Sequence, residues 1–503
     1  MKAETKKQLD YMKKTLDKAA VYDHAEHIIS FDLETSCPPE GMEEQGEVAA
    51  FMSNQLFRMT HTKKFLEAVD DLYASRKELS EPEKAMVDRF YREFNRTRDI
   101  TPAMDHRMTK VLKKSYVDWL KAKQAGDYSL FAPSLEAVRD VEMEKISLTR
   151  KKKKVPYDNL LDIYEPGMTQ KMLDECFGTC VERMVPMLEK IRASKKVIRT
   201  DFMSRPVSDE AQAKMATYLM HLMGYDFNRG MFGTTEHPFT DSLGRKDTRI
   251  TTNYDPNYFI SSIYSVIHEG GHALFDMFAP EEEWDYHFHE EKSMGQHESV
   301  SRFYENVIGR SESFIHLIYD KVCETFPDAM KGVSMKELYE GVNRVQPSLI
   351  RTDADEFTYV FHIIIRYEME KLIVNGKADI KELPRLWNEK YREYLGVTPK
   401  NDAEGILQDV HWSSGFGYFP TYALGNMYNA MYYNRMKQEL DVPALVEKGD
   451  IPAINRWMQE HVWKRAARLD SDTWIREITG RSLTPDDFLD YLEEKYGAIY
   501  GLD

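Results

Sequence analysis

Apolar residues return every three or four positions along most of this chain, and that spacing lines them up on one stripe of a helix after another. From Ala3 to about Ser30 the stripe runs through Leu9, Met12, Leu16, Ala19 and Ala20. A second stripe follows the turn at Pro38, Pro39 and Gly41, and others cover 81–95, 102–125, 134–152, 169–194 and 208–223. Only 25 Gly and 20 Pro interrupt 503 residues, so little in the chain breaks long helices. The exception is 230–254, where Thr and Gly are frequent and Ser242-Leu243-Gly244 divides two short runs, which predicts a β-hairpin. No linker, repeat or shift in composition marks a boundary, so the expectation is an all-α fold in one domain, 1–503, carrying a small β element.

Composition narrows the partners. Lys+Arg less Asp+Glu is 68 − 84 = −16, which argues against a broad nucleic-acid or anionic-membrane surface. No window reaches the ~18 apolar residues of a membrane span, and the first residues lack the apolar stretch of a secretion signal. Four scattered cysteines (Cys37, Cys176, Cys180, Cys323) make no disulfide framework. A cytoplasmic protein with reduced thiols is expected. The basic run Arg150–Lys154 reads as a solvated helix end.

Chemistry concentrates in 255–280. Asp255 and Pro256 predict a helix start, Pro280 its end, and Ile260, Ile263, Ile267, Leu274 and Phe278 a buried face. His268 and His272 stand four apart, so both imidazoles leave the same side and can reach one cation, while Glu269 turns partly aside toward a water. Gly270 and Gly271 lie between them, each costing roughly 1 kcal/mol against alanine in a helix. Close approach of a substrate or of a neighbouring backbone explains that loss.

A catalytic zinc takes three protein ligands and keeps one position open. Glu298 is the candidate third donor, on a second helix opened by a Ser293/Gln296 capping box. His297 is a rival ligand, and His287 and His289 are more remote ones, better suited to a rim. Such a metal polarises a carbonyl and acidifies a water, whose proton Glu269 accepts and later gives to the leaving amine; peptide hydrolysis is the natural reaction.

Five further patterns accompany His-Glu-x-x-His: His237-Pro238-Phe239, Asp247-x-Arg249-x-Thr251, His297-Glu298-Ser299, Ile350-Arg351-x-x-Ala354-Asp355 and Gly405-x-x-Gln408-Asp409-x-His411-Trp412. With them the chain resembles the carboxypeptidase Taq family of metallocarboxypeptidases over nearly its whole length, departing mildly at Phe31 and Cys37. The resemblance implies a largely helical fold similar to neurolysin and angiotensin-converting enzyme, with a deep central cleft and a small sheet on one wall. Helices of about 1–160 are expected to form one wall of the cleft, and the catalytic helices and hairpin to lie at about 230–430. It further implies a homodimer that removes single C-terminal residues with broad specificity, poorly before a terminal proline. One divalent metal per chain is implied, zinc, with cobalt or manganese as alternatives, held by His268, His272 and Glu298, with Glu269 as the catalytic carboxylate.

Physical reasoning extends the assignment. An exopeptidase must hold a terminal carboxylate, and a guanidinium does so bidentately. Arg351 is the candidate, set before a helix predicted to start with Thr352 as N-cap and Asp355 in its first turn; a purely structural pairing with Asp353 or Asp355 is the alternative. Arg249 and Thr251 share one face of a predicted edge strand and, with His237 and Tyr422, are expected to bind substrate; an Asp247–Arg249 pair in the hairpin is the bland alternative. His411 and Tyr418, ahead of Tyr422, are candidates to stabilise the oxyanion. Gln408, Asp409 and Asp355 are expected in support, Asp409 orienting a ligand imidazole. Two other readings stay open: an oligoendopeptidase or dipeptidyl carboxypeptidase on the same scaffold, and a non-catalytic metal-binding scaffold.

Overall fold

The computed structural model describes residues 1–502. The anticipated helices are present: Ala3–Thr35, Met42–Thr60, Glu81–Thr97, Pro102–Ala125, Ala132–Leu148, Gln170–Ala193 and Asp209–Met223. Their starts are set locally, since Thr101, Thr169 and Ser208 each accept the backbone N–H of the residue three positions on. Such a cap is worth about 1 kcal/mol. The helices Ala3–Thr35, Lys63–Ala74 and Glu81–Thr97 pack around their own small core of Leu9, Met12, Leu16, Phe65, Leu72, Met86 and Phe94. A far larger core takes in the helices that carry the site.

The β element is a three-stranded sheet rather than a simple hairpin. Strand β1 (Phe232–Thr234) runs parallel to β3 (Asp247–Thr252), and β2 (Thr240–Gly244) antiparallel to it, in the order β1-β3-β2. Ser242 pairs with Thr248, Leu243 is the extra residue of a bulge, and the chain turns at Arg245-Lys246, just after the expected Ser242-Leu243-Gly244. Leu243 decides this: it is apolar and buried, so the ladder continues until it is covered. In this order β3 is the central strand, and β1 and β2 are the edges.

The helix Phe259–Met277 starts later than expected. Asp255 accepts from the N–H of Asn257 through its carboxylate and from that of Tyr258 through its carbonyl, making a turn that precedes the helix. Both glycines answer to packing. A Cβ on Gly271 would sit 2.7 Å from Ser301 Cα and 3.1 Å from the Val300 carbonyl, and one on Gly270 3.0 Å from Met223 Sδ. The close neighbour is therefore backbone of the helix Met294–Arg302, whose Ser293/Gln296 capping box is formed as expected. On its other flank Gly425, in the helix Pro420–Met436, admits Glu298, whose Cγ lies 2.7 Å from where a Cβ would be. Two glycines thus let three helices close on Glu298. A π-helical segment, Phe303–Ile308, follows at once and shifts the register that carries Glu305, a deviation frequent at functional sites.

Candidate metal centre and active-site cleft

His268, His272 and Glu298 each offer one donor atom within 4.8 Å of the others. The Nε2 atoms of His268 and His272 lie 3.8 and 3.7 Å from the same oxygen, Glu298 Oε2. Burial, helped by His268 and His297, holds His272 well below the ordinary histidine range, so it is neutral, the form in which imidazole ligates. At His268 burial is outweighed by Glu298 and Glu305, and its pKa is raised. The two carboxylates therefore favour positive charge where the donors converge, and the donor set of two imidazoles and one carboxylate fits a divalent metal.

Each of these candidate donors is oriented from behind. His268 Nδ1 is 2.8 Å from Glu305 Oε2, which leaves Nε2 facing the triad. Glu298 Oε1 accepts from Arg302 Nε at 2.7 Å, and Arg302 also reaches Glu305. Against the cost of burial, Arg302, His268 and Arg310 hold Glu305 far below the usual carboxylate range. The carboxylate behind a ligand imidazole is thus Glu305, not Asp409. His297 is no rival ligand, since its Nδ1 meets His272 Nδ1 at 3.1 Å and its Nε2 meets Asp276 at 3.1 Å. His287 binds Asp17 on the first helix, and His289 stacks on Trp284 at the rim. Asp23, His27 and Glu290 also bring donors within 4.8 Å of one another, but Arg89 occupies Glu290 and Asp241 occupies His27.

The triad lies between two cavities, of about 480 and about 820 Å³, and His268, Glu269, Glu298 and Tyr422 border both. Glu269 is 8 % exposed; its Oε2 accepts from the hydroxyl of Thr240, on edge strand β2, at 2.6 Å. Burial above all raises its pKa. Tyr418 borders the smaller cavity and Tyr422 both. His411 borders neither: it sits behind the tyrosines, its Nε2 3.5 Å from Tyr422 Oη, and burial lowers its pKa to about 4. Of the three oxyanion candidates the cleft presents the two tyrosines, because the loop that carries His411 turns its ring toward Phe419.

Arg351 borders the larger cavity. Its Nε and Nη2 donate to Asp409 Oδ1 at 3.0 and 2.9 Å and its Nη1 to Tyr359 Oη at 3.2 Å, while its backbone N–H donates to Gln408. The partner is therefore Asp409, neither Asp353 nor Asp355. Asp409 also accepts from Arg366, a fully buried side chain. One carboxylate between two guanidiniums leaves one positive charge uncompensated, and Arg351 is the member that reaches the cavity. By contrast, Arg302 and Arg310 face Glu298 and Glu305, a balanced set. Asp355 is the N-cap of the helix Glu356–Val374, accepting from the N–H of Thr358, and Thr352 belongs to the short 3₁₀ turn before it.

Arg249, Thr251 and His237 are not brought to the cavities. Arg249 pairs with Asp247 at 2.7 Å, the bland alternative, and Thr251 is fully buried, its hydroxyl accepting from the N–H of Phe239. His237 is exposed, and its carbonyl accepts from Thr235. Both β3 residues lie on a strand paired on each side, so that strand has no free edge for a peptide. Several contributors went unanticipated, Thr240, Glu305 and Asp276 beside the donors and Arg302, Tyr359 and Arg366 around them. Asp276 stands one helical turn after His272 and Glu305 two turns after Glu298, spacings that could have flagged them; nothing marked Thr240.

Comparison with known proteins agrees with this geometry. A family model described as carboxypeptidase Taq (M32) metallopeptidase matches residues 11–496. The chain is 38 % identical to "Carboxypeptidase 1" of Bacillus subtilis (strain 168), covering 96 % of this chain and 97 % of that protein. It is 34 % identical to "Thermostable carboxypeptidase 1" of Thermus thermophilus, over 94 % and 95 % of the two chains. The crystal structure of an M32 carboxypeptidase from Deinococcus radiodurans R1 superposes with a TM-score of 0.94 at 30 % identity, covering 98 % of this chain and all of that one. A His-Glu-x-x-His helix clamped against a glutamate-bearing partner, and a match along nearly every residue, place the chain in the carboxypeptidase Taq (M32) family, as a metal-dependent peptide hydrolase of the carboxypeptidase kind.

Proposed function

We propose that this chain is a zinc carboxypeptidase that removes single C-terminal residues, with His268, His272 and Glu298 holding the metal, Glu269 moving the proton and Arg351 gripping the substrate carboxylate. The observation that carries the reading is the uncompensated guanidinium of Arg351 in the same cavity as Glu269 and two members of the metal-binding triad, His268 and Glu298. When bound, the metal supplies Lewis acidity, polarising the scissile carbonyl and acidifying a water.

This chain's residues do the rest. Thr240 occupies Glu269 Oε2, which leaves Oε1 to accept a proton from the attacking water and deliver it to the leaving amine. The Tyr418 and Tyr422 hydroxyls, on one rim of the cleft, donate to the oxygen on which negative charge grows, each worth about 3 kcal/mol. Arg351, on its rigid Asp409 and Tyr359 mount, holds the terminal carboxylate and so fixes which peptide bond faces Glu269. His411 acts through Tyr422, and Gln408, Asp409 and Asp355 brace the Arg351 segment. Broad side-chain tolerance and poor release before a terminal proline are part of the proposal and rest on the family resemblance.

A homodimer in the cytoplasm completes it. The helix Met42–Thr60 buries only Ala49 and Thr60 and leaves Val48, Phe51 and Phe57 exposed, which supports a second copy as its cover. The four cysteines are free, and no helix among the described residues is long and apolar enough to cross a membrane. Metal analysis of the purified protein, with mass spectrometry of a peptide and its C-terminally amidated twin after digestion, tests the function. Equal trimming of both peptides rejects carboxylate recognition, and release of dipeptides rejects single-residue cleavage.

A further inference from the structure

The ligand imidazoles are oriented differently. His268 leans directly on a carboxylate, whereas His272 leans on another histidine: His272 Nδ1 lies 3.1 Å from His297 Nδ1, whose Nε2 lies 3.1 Å from Asp276 Oδ1. Asp276 Oδ1 also accepts from Lys292 Nζ at 3.0 Å, and its Oδ2 from Ser242 on β2 at 2.9 Å. Lys292 and its further partner Glu283 are almost wholly buried. Phe275 packs on the His297 ring, fixing its plane.

Each contact between two ring nitrogens needs one proton, and the row admits only one arrangement that leaves a lone pair on His272 Nε2. Burial opposes the charge on Asp276, but Lys292 and His297 outweigh it and hold the carboxyl well below the ordinary range, so Asp276 is an acceptor. His297 Nε2–H then donates to Asp276, His297 Nδ1 presents its lone pair, and His272 Nδ1–H donates to it. His272 Nε2 is left bare toward Glu298. The reversed tautomer of His297 would set Nε2 lone pair against carboxylate and push a proton onto His272 Nε2, closing the ligand position.

We propose that His297 is a positioning residue: anchored by Asp276 and Lys292, it selects the tautomer and ring plane in which His272 can take a metal. The proposal rests on the metal reading above, and its test measures affinity directly in the full-length protein, by chelator competition for Zn²⁺ and by the visible spectrum of the Co²⁺ form. Breaking such an outer contact costs about 10- to 100-fold in metal affinity. His297→Phe, which keeps ring packing and removes both nitrogens, is expected to weaken Zn²⁺ by that factor with the helical circular-dichroism signal retained. His297→Gln, whose amide can accept from His272 and donate to Asp276, is expected to recover most of the affinity. Asp276→Asn serves if the phenylalanine variant does not fold, with a loss in the same range. Unchanged affinity in His297→Phe, or in Asp276→Asn when it stands in, overturns the proposal. So does a glutamine variant as weak as the phenylalanine one, or loss of one imidazole from the Co²⁺ spectrum of the glutamine variant. A parent protein that binds no metal rejects the metallopeptidase reading instead, so the two failures are distinguishable.

Discussion

Replacing Arg351 by glutamine is the sharpest probe of why this cleft acts at chain ends. The guanidinium has five N–H donors, and three are spent on Asp409 and Tyr359, which leaves two for a substrate carboxylate. A hydrogen bond to a charged group contributes about 1.5–3 kcal/mol, and because the glutamine amide still donates one neutral bond, losing the two-point charged grip costs about 2–4 kcal/mol, roughly 30- to 900-fold in kcat/KM. The fold should survive, because Asp409 keeps Arg366 at 2.7 Å and the backbone N–H at 351 still meets Gln408. The assay compares kcat/KM for one peptide as free acid and as amide. The preference for the free acid is expected to collapse toward one in Arg351→Gln and to return in part in Arg351→Lys, which restores charge without the fork. A variant that loses both activities equally, or neither, refutes the charge argument, since each outcome means that Arg351 does not sense the terminal carboxylate.

Other expectations are narrower. Glu269→Gln should keep stoichiometric metal by elemental analysis yet lose about 10²- to 10⁴-fold in kcat, the usual worth of a positioned base; retained turnover would point to another base. Glu298→Ala should fail to retain metal through dialysis. Gly271→Ala should lower the melting temperature despite alanine's better helix propensity of about 1 kcal/mol, because its Cβ meets backbone at 2.7 Å and overpacking of this kind costs about 1–3 kcal/mol. His27 joins the first helix to β2 through Asp241, and that hydrogen bond raises its pKa from 6.5 to about 9. A raised histidine binds more protons folded than unfolded, so its contribution is complete below pH 6.5 and is lost as pH rises through about 9. Urea unfolding of His27→Gln should lack this decline between the two values; a slope identical to the parent's would place it elsewhere.

Local chemistry explains why so much could be read from the chain alone. Helix stripes, caps such as Thr101 and Thr169, and the Ser293/Gln296 box depend on neighbours within one turn, so the helices came within a few residues of their bounds. The four-residue spacing of His268 and His272 guarantees a shared face on any helix, and this is why two of the three triad members needed no tertiary information. Where the reading failed, the deciding contacts were remote. Asp255 looks like a cap until its own turn is seen, and Ser242-Leu243-Gly244 looks like a turn until Leu243 is found buried. Arg351 has two acidic neighbours in sequence, yet pairs with Asp409, 58 residues away. Spatial assembly alone decided that Glu305 and not Asp409 backs a ligand, that His411 lies behind Tyr422, that β3 is central rather than an edge, and that Gly271 and Gly425 bring Glu298 to the histidines. Periodicity records which face of an element is buried; it carries no information about which distant charge will lie against it, because that depends on how the helices cross.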